Sequence, residues 1–345
     1  MRKYTFFSDP HIGTKRTAHT TRESSKRLSE ALTEAGVRLS KLPNAICGGD
    51  LFDTSFNSEA DVVNGFLVAS NCLAVLSGNH DETNREGTVT SLKLLEDVGC
   101  PIVRSKDLSS PHFDIIDDTI YMVPHHASQE LFEEALEQCI SHRSKYSTSK
   151  PAVMVLHCNY DAPFATDDST LNLTSEDAEV LLDSFDYVFL GHEHTPKQFY
   201  DGRLVLMGNT HPTSFSDISD KYYYKVTIGE EIKVEKVKVW DVAEGFKEIT
   251  FGEATPDLTG VSFVDVVGLA GDATTVDVAK LIAELRDEYP QLLAIRNSVK
   301  FSDHLDSVEI VSVADQKDIP EQIADDLKGT PMQALFTELL AEVTA

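Results

Sequence analysis

The chain has 345 residues, 41% of them hydrophobic, and 57 Asp and Glu against 30 Lys and Arg, for a net charge of -27. At roughly 150 residues per domain this length predicts more than one folding unit, and the composition excludes a disordered, collagen-like or disulfide-stapled chain. No apolar stretch approaches the ~20 residues of a membrane span, and Met1-Arg2-Lys3 opens without an apolar leader, so a cytoplasmic location is expected.

In chain order, an apolar, β-prone run from Tyr4 to Phe7 predicts a strand that ends on Asp9-Pro10-His11. From Thr21 to about Leu39, the residues Leu28, Ala31, Leu32, Ala35 and Leu39 recur at helical spacing after a Thr-Thr-Arg-Glu start able to cap a helix. Ala45 to Cys47 is a strand running into Gly48-Gly49-Asp50-Leu51-Phe52-Asp53, and Cys72 to Leu76 one running into Gly78-Asn79-His80-Asp81. Helices are expected at Val62 to Ala69, Val89 to Val98 and Ser128 to Cys139, and a hairpin at Phe113 to Ile116 and Thr119 to Val123 through Asp117-Asp118. Strand Ala152 to Leu156 ends on His157, and strand Tyr187 to Leu190 ends on Gly191-His192-Glu193-His194. Arg203 to Met207, Tyr222 to Ile228 and Ile232 to Trp240 alternate as strands and are expected to make a second sheet, the last two joined by Gly229-Glu230-Glu231.

These elements predict an α/β (α+β) four-layer α/β/β/α sandwich over residues 1-250. A small βαββ cap domain is expected over 251-314, from Val261 to Val267, Val276 to Glu288, Leu293 to Phe301 and Ser307 to Val313. Residues 315-345 form a tail. Its amphipathic helix, Met332 to Val343, carries Leu335, Phe336, Leu339, Leu340 and Val343 on one stripe, for its own domain or for a partner helix.

In an open α/β sheet the loops beyond the strands' carboxyl ends meet in one crevice. The loops named above bring acids, imidazoles and an amide there: Asp9, His11, Asp50, Asn79, His157, His192 and His194 are the expected metal ligands. Asp50 is the candidate bridge between two cations ~3.5 to 4 Å apart, which activate hydroxide and neutralise phosphoryl charge. Asp9, His11 and His194 would complete one metal, and Asn79, His157 and His192 the other. Mixed imidazole, carboxylate and amide donors suit manganese, iron or zinc better than an all-oxygen magnesium site, and manganese is the first choice.

His80 is left without a metal. It is the candidate catalytic residue, stabilising charge or protonating the leaving oxygen, with Asp81 behind it to fix its tautomer. Asp53 reads as a partner of a ligand or as a strand-end cap. Residues 1-45 carry nine Lys and Arg against four Asp and Glu, a local +5. Lys15, Arg16 and Arg22, with Lys26 and Arg27, read as a phosphate track beside the Asp9/His11 corner or as a solvated helix face. His125 and His126 are substrate contacts or loop histidines, and His211 follows a strand end that can approach the crevice. The five cysteines lack C-x-x-C spacing, which suggests neither a disulfide framework nor a zinc knuckle.

The ordered set D-x-H, G-D, G-N-H-D, H and G-H-x-H, spanning residues 4 to about 210, resembles the calcineurin-like metallophosphoesterases. That resemblance implies the four-layer fold, a dinuclear centre and a histidine acting beside it. Within the superfamily the chain looks most like SbcD-type nuclease subunits of DNA double-strand-break processing, particularly short phage-type members. The residues behind this are Asp9-Pro10-His11-Ile12-Gly13, Gly49-Asp50-Leu51-Phe52-Asp53, and the cap followed by Pro331-Met332-Gln333-Ala334-Leu335-Phe336. The likeness implies a manganese-dependent DNA exonuclease and endonuclease acting in repair or recombination. It further implies a homodimer within a heterotetramer with an SbcC-type coiled-coil ATPase, contacted by the tail helix. The strong acidity and short tail depart from that pattern and shift most DNA contacts to the ATPase. Two rival readings stand beside it: a free-standing phosphodiesterase or phosphatase on nucleotides or phosphoproteins, and a non-catalytic scaffold for the ATPase.

Overall fold

The computed structural model describes residues 1-301 apart from 17, 84, 86, 147-149, 163-170, 272 and 273. The first half runs β1 (Arg2–Phe7), α1 (Arg22–Ser40), β2 (Ala45–Cys47), α2 (Glu59–Ala69), β3 (Ala74–Leu76), α3 (Ser91–Asp97), β4 (Ile102–Val103), β5 (Asp114–Ile116), β6 (Ile120–Val123) and α4 (Gln129–Tyr146). It continues with β7 (Val153–His157), β8 (Asn159–Tyr160), β9 (Asn172–Leu173), α5 (Ser175–Ser184), β10 (Tyr187–Gly191), β11 (Lys197–Phe199), β12 (Leu204–Leu206), β13 (Lys221–Ile228) and β14 (Ile232–Trp240). Last come α6 (Val242–Gly245), β15 (Phe246–Thr250), β16 (Phe263–Val267), α7 (Thr275–Glu288) and β17 (Ala294–Asn297).

Two six-stranded sheets result, ordered β14-β13-β1-β2-β3-β4 and β11-β12-β10-β7-β6-β5. The central strands β1 to β4 run parallel, as do β6, β7, β10 and β12. Because side chains alternate along a strand, neighbouring residues serve different cores. Phe6 faces Phe189, Val155 and Tyr224 between the sheets, its ring edge-on to Phe189 at 4.9 Å. Phe7, one residue on, faces Leu39, Val68 and Leu92 of α1, α2 and α3. In β7, Met154 and Leu156 turn outward onto Phe132 and Leu136 of α4 and Leu181 of α5. The order α1–α3, sheet, sheet, α4–α5 is the expected four-layer sandwich. Phe6, Phe7 and Phe189 have no solvent exposure, and each such side chain contributes about 1.5–3 kcal/mol by its burial.

Helix α1 begins as its capping pattern predicts, but the box closes on Ser24. Ser24 N–H donates to Thr21 Oγ1 at 3.1 Å and Thr21 N–H to Ser24 Oγ at 2.8 Å. The hairpin β13–β14 corrects the sequence reading. It does not share a sheet with β12; β13 pairs antiparallel with β1, from Arg2↔Ile228 to Phe6↔Tyr224. Alternation fixes which face of a strand is buried, not which strand it pairs with.

The third sheet, β15-β16-β17, is parallel throughout. Its core joins Val264, Val266 and Ile295 to Val278 and Leu285 of α7, while Phe263, Leu293 and Ala294 rest on Leu28 and Leu32 of α1. Residues 246-250, placed by sequence at the end of the first domain, form its edge strand, paired from Phe246↔Phe263 onward. Asp241 makes the turn by capping the short α6, its Oδ1 accepting from Ala243 N–H at 2.9 Å. The expected strand Ser307 to Val313 and helix Met332 to Val343 lie outside the described residues. Among the described residues, no helix is long and apolar enough to cross a membrane.

Candidate metal centre

Strands β1, β2 and β3 of the first sheet and β7 and β10 of the second deliver the seven expected ligands. Four of them, Asp9, His11, Asp50 and His192, have φ of 54°, 44°, 48° and 89°. Non-glycine residues rarely adopt this left-handed region, Asp and His among the more tolerant, and such strain persists only where the surroundings over-determine it. Here the first two loops zip together. Asp9 N–H donates to Gly49 O at 3.1 Å, His11 N–H to Asp50 O at 3.1 Å, Ile12 N–H to Leu51 O at 2.9 Å and Asp53 N–H to Ile12 O at 3.0 Å. The third loop joins through His80 N–H to Asp50 Oδ1 at 3.0 Å, and the fifth through His192 N–H to Asp9 Oδ1, also at 3.0 Å.

Donor atoms gather in two groups that match the sequence pairing. One atom each from Asp9, His11 and His194 lie within 4.8 Å of one another, as do atoms of Asp50, His157 and His192. Asn79 completes the second group, its Oδ1 lying 2.9 Å from His192 Nδ1 and 3.2 Å from His157 Nε2. Asp50 spans both, with Oδ1 3.3 Å from His157 Nε2 and Oδ2 3.8 Å from His11 Nε2. His11 Nε2 and His194 Nε2 face each other at 2.9 Å. His157 donates its Nδ1 proton to Gly48 O at 2.9 Å, which turns Nε2 toward the group. Burial works against charge on His157, yet the Asp50 carboxylate outweighs it and pushes the ring up to about 9; a proton there sits where a cation would supply the charge. Converging lone pairs of imidazole, carboxylate and amide fit divalent cations of the manganese, iron or zinc kind.

A third group, His11, Asp53 and His80, shares His11 through its other nitrogen. Asp53 takes the first of the two roles foreseen for it, as the partner of a ligand. Its Oδ1 lies 3.4 Å from His11 Nδ1 and 3.4 Å from Arg16 Nη2, while its carbonyl accepts the His80 Nδ1 proton at 2.7 Å. Burial opposes charge on Asp53, but His11 and Arg16 prevail and hold it below the usual carboxylate range. The carbonyl of Asp53, and not Asp81, therefore fixes the His80 tautomer. Asp81 is fully buried and spent on backbone: it accepts from Phe52 N–H at 2.9 Å, Gly78 N–H at 3.0 Å and Leu51 N–H at 3.2 Å. Burial, and then the charge of Asp50, raise it above the usual carboxylate range.

Among the expected substrate contacts, Lys15, Arg16 and Arg22 line one cleft of about 630 Å³ with Thr20, Lys26 and Asp61. His125 lies buried beside the centre, its backbone N–H bonded to Ser77 O at 3.1 Å. His126 is not available to a substrate: 1% exposed, it donates from Nδ1 to Pro124 O at 2.8 Å and accepts His112 N–H on Nε2 at 2.9 Å. His211 packs instead among rings, edge-on to Trp240 at 6.1 Å and tilted against Phe263 at 6.2 Å. Sequence reasoning missed Asp217 and Lys221, which lie behind His194. Asp217 Oδ2 is 3.4 Å from His194 Nδ1. Their sequence signal was slight: two acids, Asp217 and Asp220, and Lys221 follow Gly208-Asn209-Thr210-His211 without a motif.

The fold and the centre define a metal-dependent phosphoester hydrolase. The calcineurin-like phosphoesterase family profile matches residues 2–196, and the chain belongs to that family. No curated protein matches the sequence. A solved structure of a conserved uncharacterized protein from Streptococcus pneumoniae TIGR4, described as a predicted phosphoesterase, is 13% identical and covers 69% of this chain and 89% of its own, with a TM-score of 0.29. In this family's chemistry, divalent cations act as Lewis acids and supply a hydroxide nucleophile. The seven ligands would hold them. His80 is fixed through Nδ1 by Asp53 O, and among the described residues its Nε2 has no hydrogen-bond partner, which would leave that nitrogen for a phosphoryl oxygen or a leaving group.

Proposed function

We propose that this chain is the manganese-dependent nuclease subunit of a DNA end-processing complex, cleaving phosphodiester bonds alongside an SbcC-type coiled-coil ATPase. The observation that carries this reading is the junction of the basic cleft with the centre: Arg16 reaches Asp53, and Asp53 reaches His11, each at 3.4 Å. Lys15 and Arg22 line the same cleft and carry no ion pair among the described residues, so both remain free for phosphates. Manganese-stimulated cleavage of linear duplex DNA, run against a small chromogenic diester, tests the substrate. Lys15→Ala with Arg22→Ala is expected to weaken duplex binding and flatten its log-log salt dependence by about 0.9 per lost contact, leaving diester turnover intact. Turnover of the diester alone would sink the nuclease reading and favour the free-standing phosphodiesterase, to which the net charge of -27 leans.

The homodimer belongs to the same proposal. Helices α2 and α3 pack side by side and leave Val63, Phe66, Leu67, Leu94 and Val98 between 41% and 66% exposed. No Asp, Glu, Lys or Arg occurs between Asp61 and Asp81, so α2 offers a second copy of this acidic chain a face with little like-charge repulsion. Leu67→Glu with Val98→Glu is expected to leave a monomer in sedimentation-velocity runs while diester turnover persists; an unchanged oligomer would place the contact elsewhere.

A further inference from the structure

His194 reaches the first donor group from the second sheet, and none of the five motifs accounts for what holds its ring there. Its Nδ1 lies 3.4 Å from Asp217 Oδ2, which leaves Nε2 to face His11. Its carbonyl accepts a hydrogen bond from the Lys221 ammonium at 3.0 Å. Lys221 has no solvent exposure, so it cannot touch a substrate; it also donates to Asp217 O at 2.7 Å and Ser219 Oγ at 3.1 Å. Asp217 is anchored in turn, accepting from Asn209 Nδ2 at 2.6 Å, Ser214 N–H at 2.9 Å and Thr213 N–H at 3.0 Å. A buried ammonium without its partners would be expensive, and two of the acceptors it has among the described residues are His194 itself and Asp217.

We propose that Asp217 and Lys221 are a positioning pair for His194, an inference that rests on the metal-centre reading above. Asp217 sets the tautomer that leaves Nε2 bare for a cation, and Lys221 fixes the backbone from which the ring projects. Outer partners of this kind orient a ligand imidazole and raise its basicity. The pair also ties the centre to the small sheet. Phe215, two residues before Asp217, lies edge-on to Phe263 at 5.7 Å, under the Arg296 guanidinium at 4.7 Å.

The test is manganese binding by the full chain, read by equilibrium dialysis and by electron paramagnetic resonance, for the wild type, Asp217→Asn and the double variant Asp217→Asn with Lys221→Met. The double variant removes both members together, so that no lone charge stays buried. One of two bound ions is expected to weaken about 10- to 100-fold in both variants, with the other unchanged and excess manganese restoring diester turnover. Two ions bound as tightly as in the wild type would overturn the positioning role. A parallel weakening of both ions that tracks the melting temperature would also overturn it, by making the pair a general support of the fold. Failure of the wild type to bind manganese is a different result, and it would remove the metal-centre reading itself.

Discussion

Gly78→Ala is expected to lower diester turnover by about 100-fold or more, because a ligand misplaced by about 1 Å costs that much. A Cβ at position 78 would lie 2.1 Å from Asp50 Oδ1, 2.5 Å from the Asp50 backbone nitrogen and 2.7 Å from His157 Nε2. A side chain can swing away from one added methyl, but a backbone nitrogen cannot. The Asp50 loop itself must move, and it is already bonded to the first loop through Asp50 O and Leu51 O. Overpacking of this sort costs about 1–3 kcal/mol, so the melting temperature should drop in the same variant. Manganese stoichiometry and initial rates on a small diester measure both effects. A Gly78→Ala protein with the wild-type rate would mean that Asp50 and His157 do not hold the reacting ions.

His80→Ala and Asp81→Asn are expected to fail in opposite ways, although the two residues are adjacent in one motif. Among the described residues the His80 ring makes one hydrogen bond, to Asp53 O at 2.7 Å, and an edge contact with His11 at 5.1 Å. Its loss should lower kcat by about 10²- to 10⁴-fold, the range for a positioned proton donor, with stability and manganese binding unchanged. Asp81 instead accepts three backbone N–H groups. An amide there turns donors toward donors, at about 1–3 kcal/mol for each buried group left unsatisfied. Denaturant midpoints and kcat, measured on both variants, separate the cases. Equal loss of rate at unchanged stability would return Asp81 to a catalytic role, and a wild-type kcat in His80→Ala would remove His80 from the chemistry.

The strands that end on ligands were legible because each is a short apolar run stopped by Gly, Asp or His. β2 falls on Ala45–Cys47, the residues expected, and β14 on Ile232–Trp240. Partner choice was not legible. The hairpin β13–β14 went to the wrong sheet in the sequence reading, since alternation says nothing about which edge a strand meets. Helix α5 was missed because its apolar residues are few: Ala178, Leu181 and Leu182 are the hydrophobic ones it buries. At the centre, residue types and order gave the donor groups. They could not show that Asp81 faces backbone, that His126 has both nitrogens engaged, or that Asp217 stands behind His194, because each fact depends on a side-chain direction set by contacts far along the chain.

Asp9, His11, Asp50 and Asn79 all come from the first sheet, and His157, His192 and His194 all from the second. Each of the two donor groups therefore draws on both sheets. A cation bound in either group is a rivet across the seam between two independently hydrogen-bonded slabs. Sliding one slab on the other would open both groups at once, so the geometry of the centre depends on the packing of the whole seam.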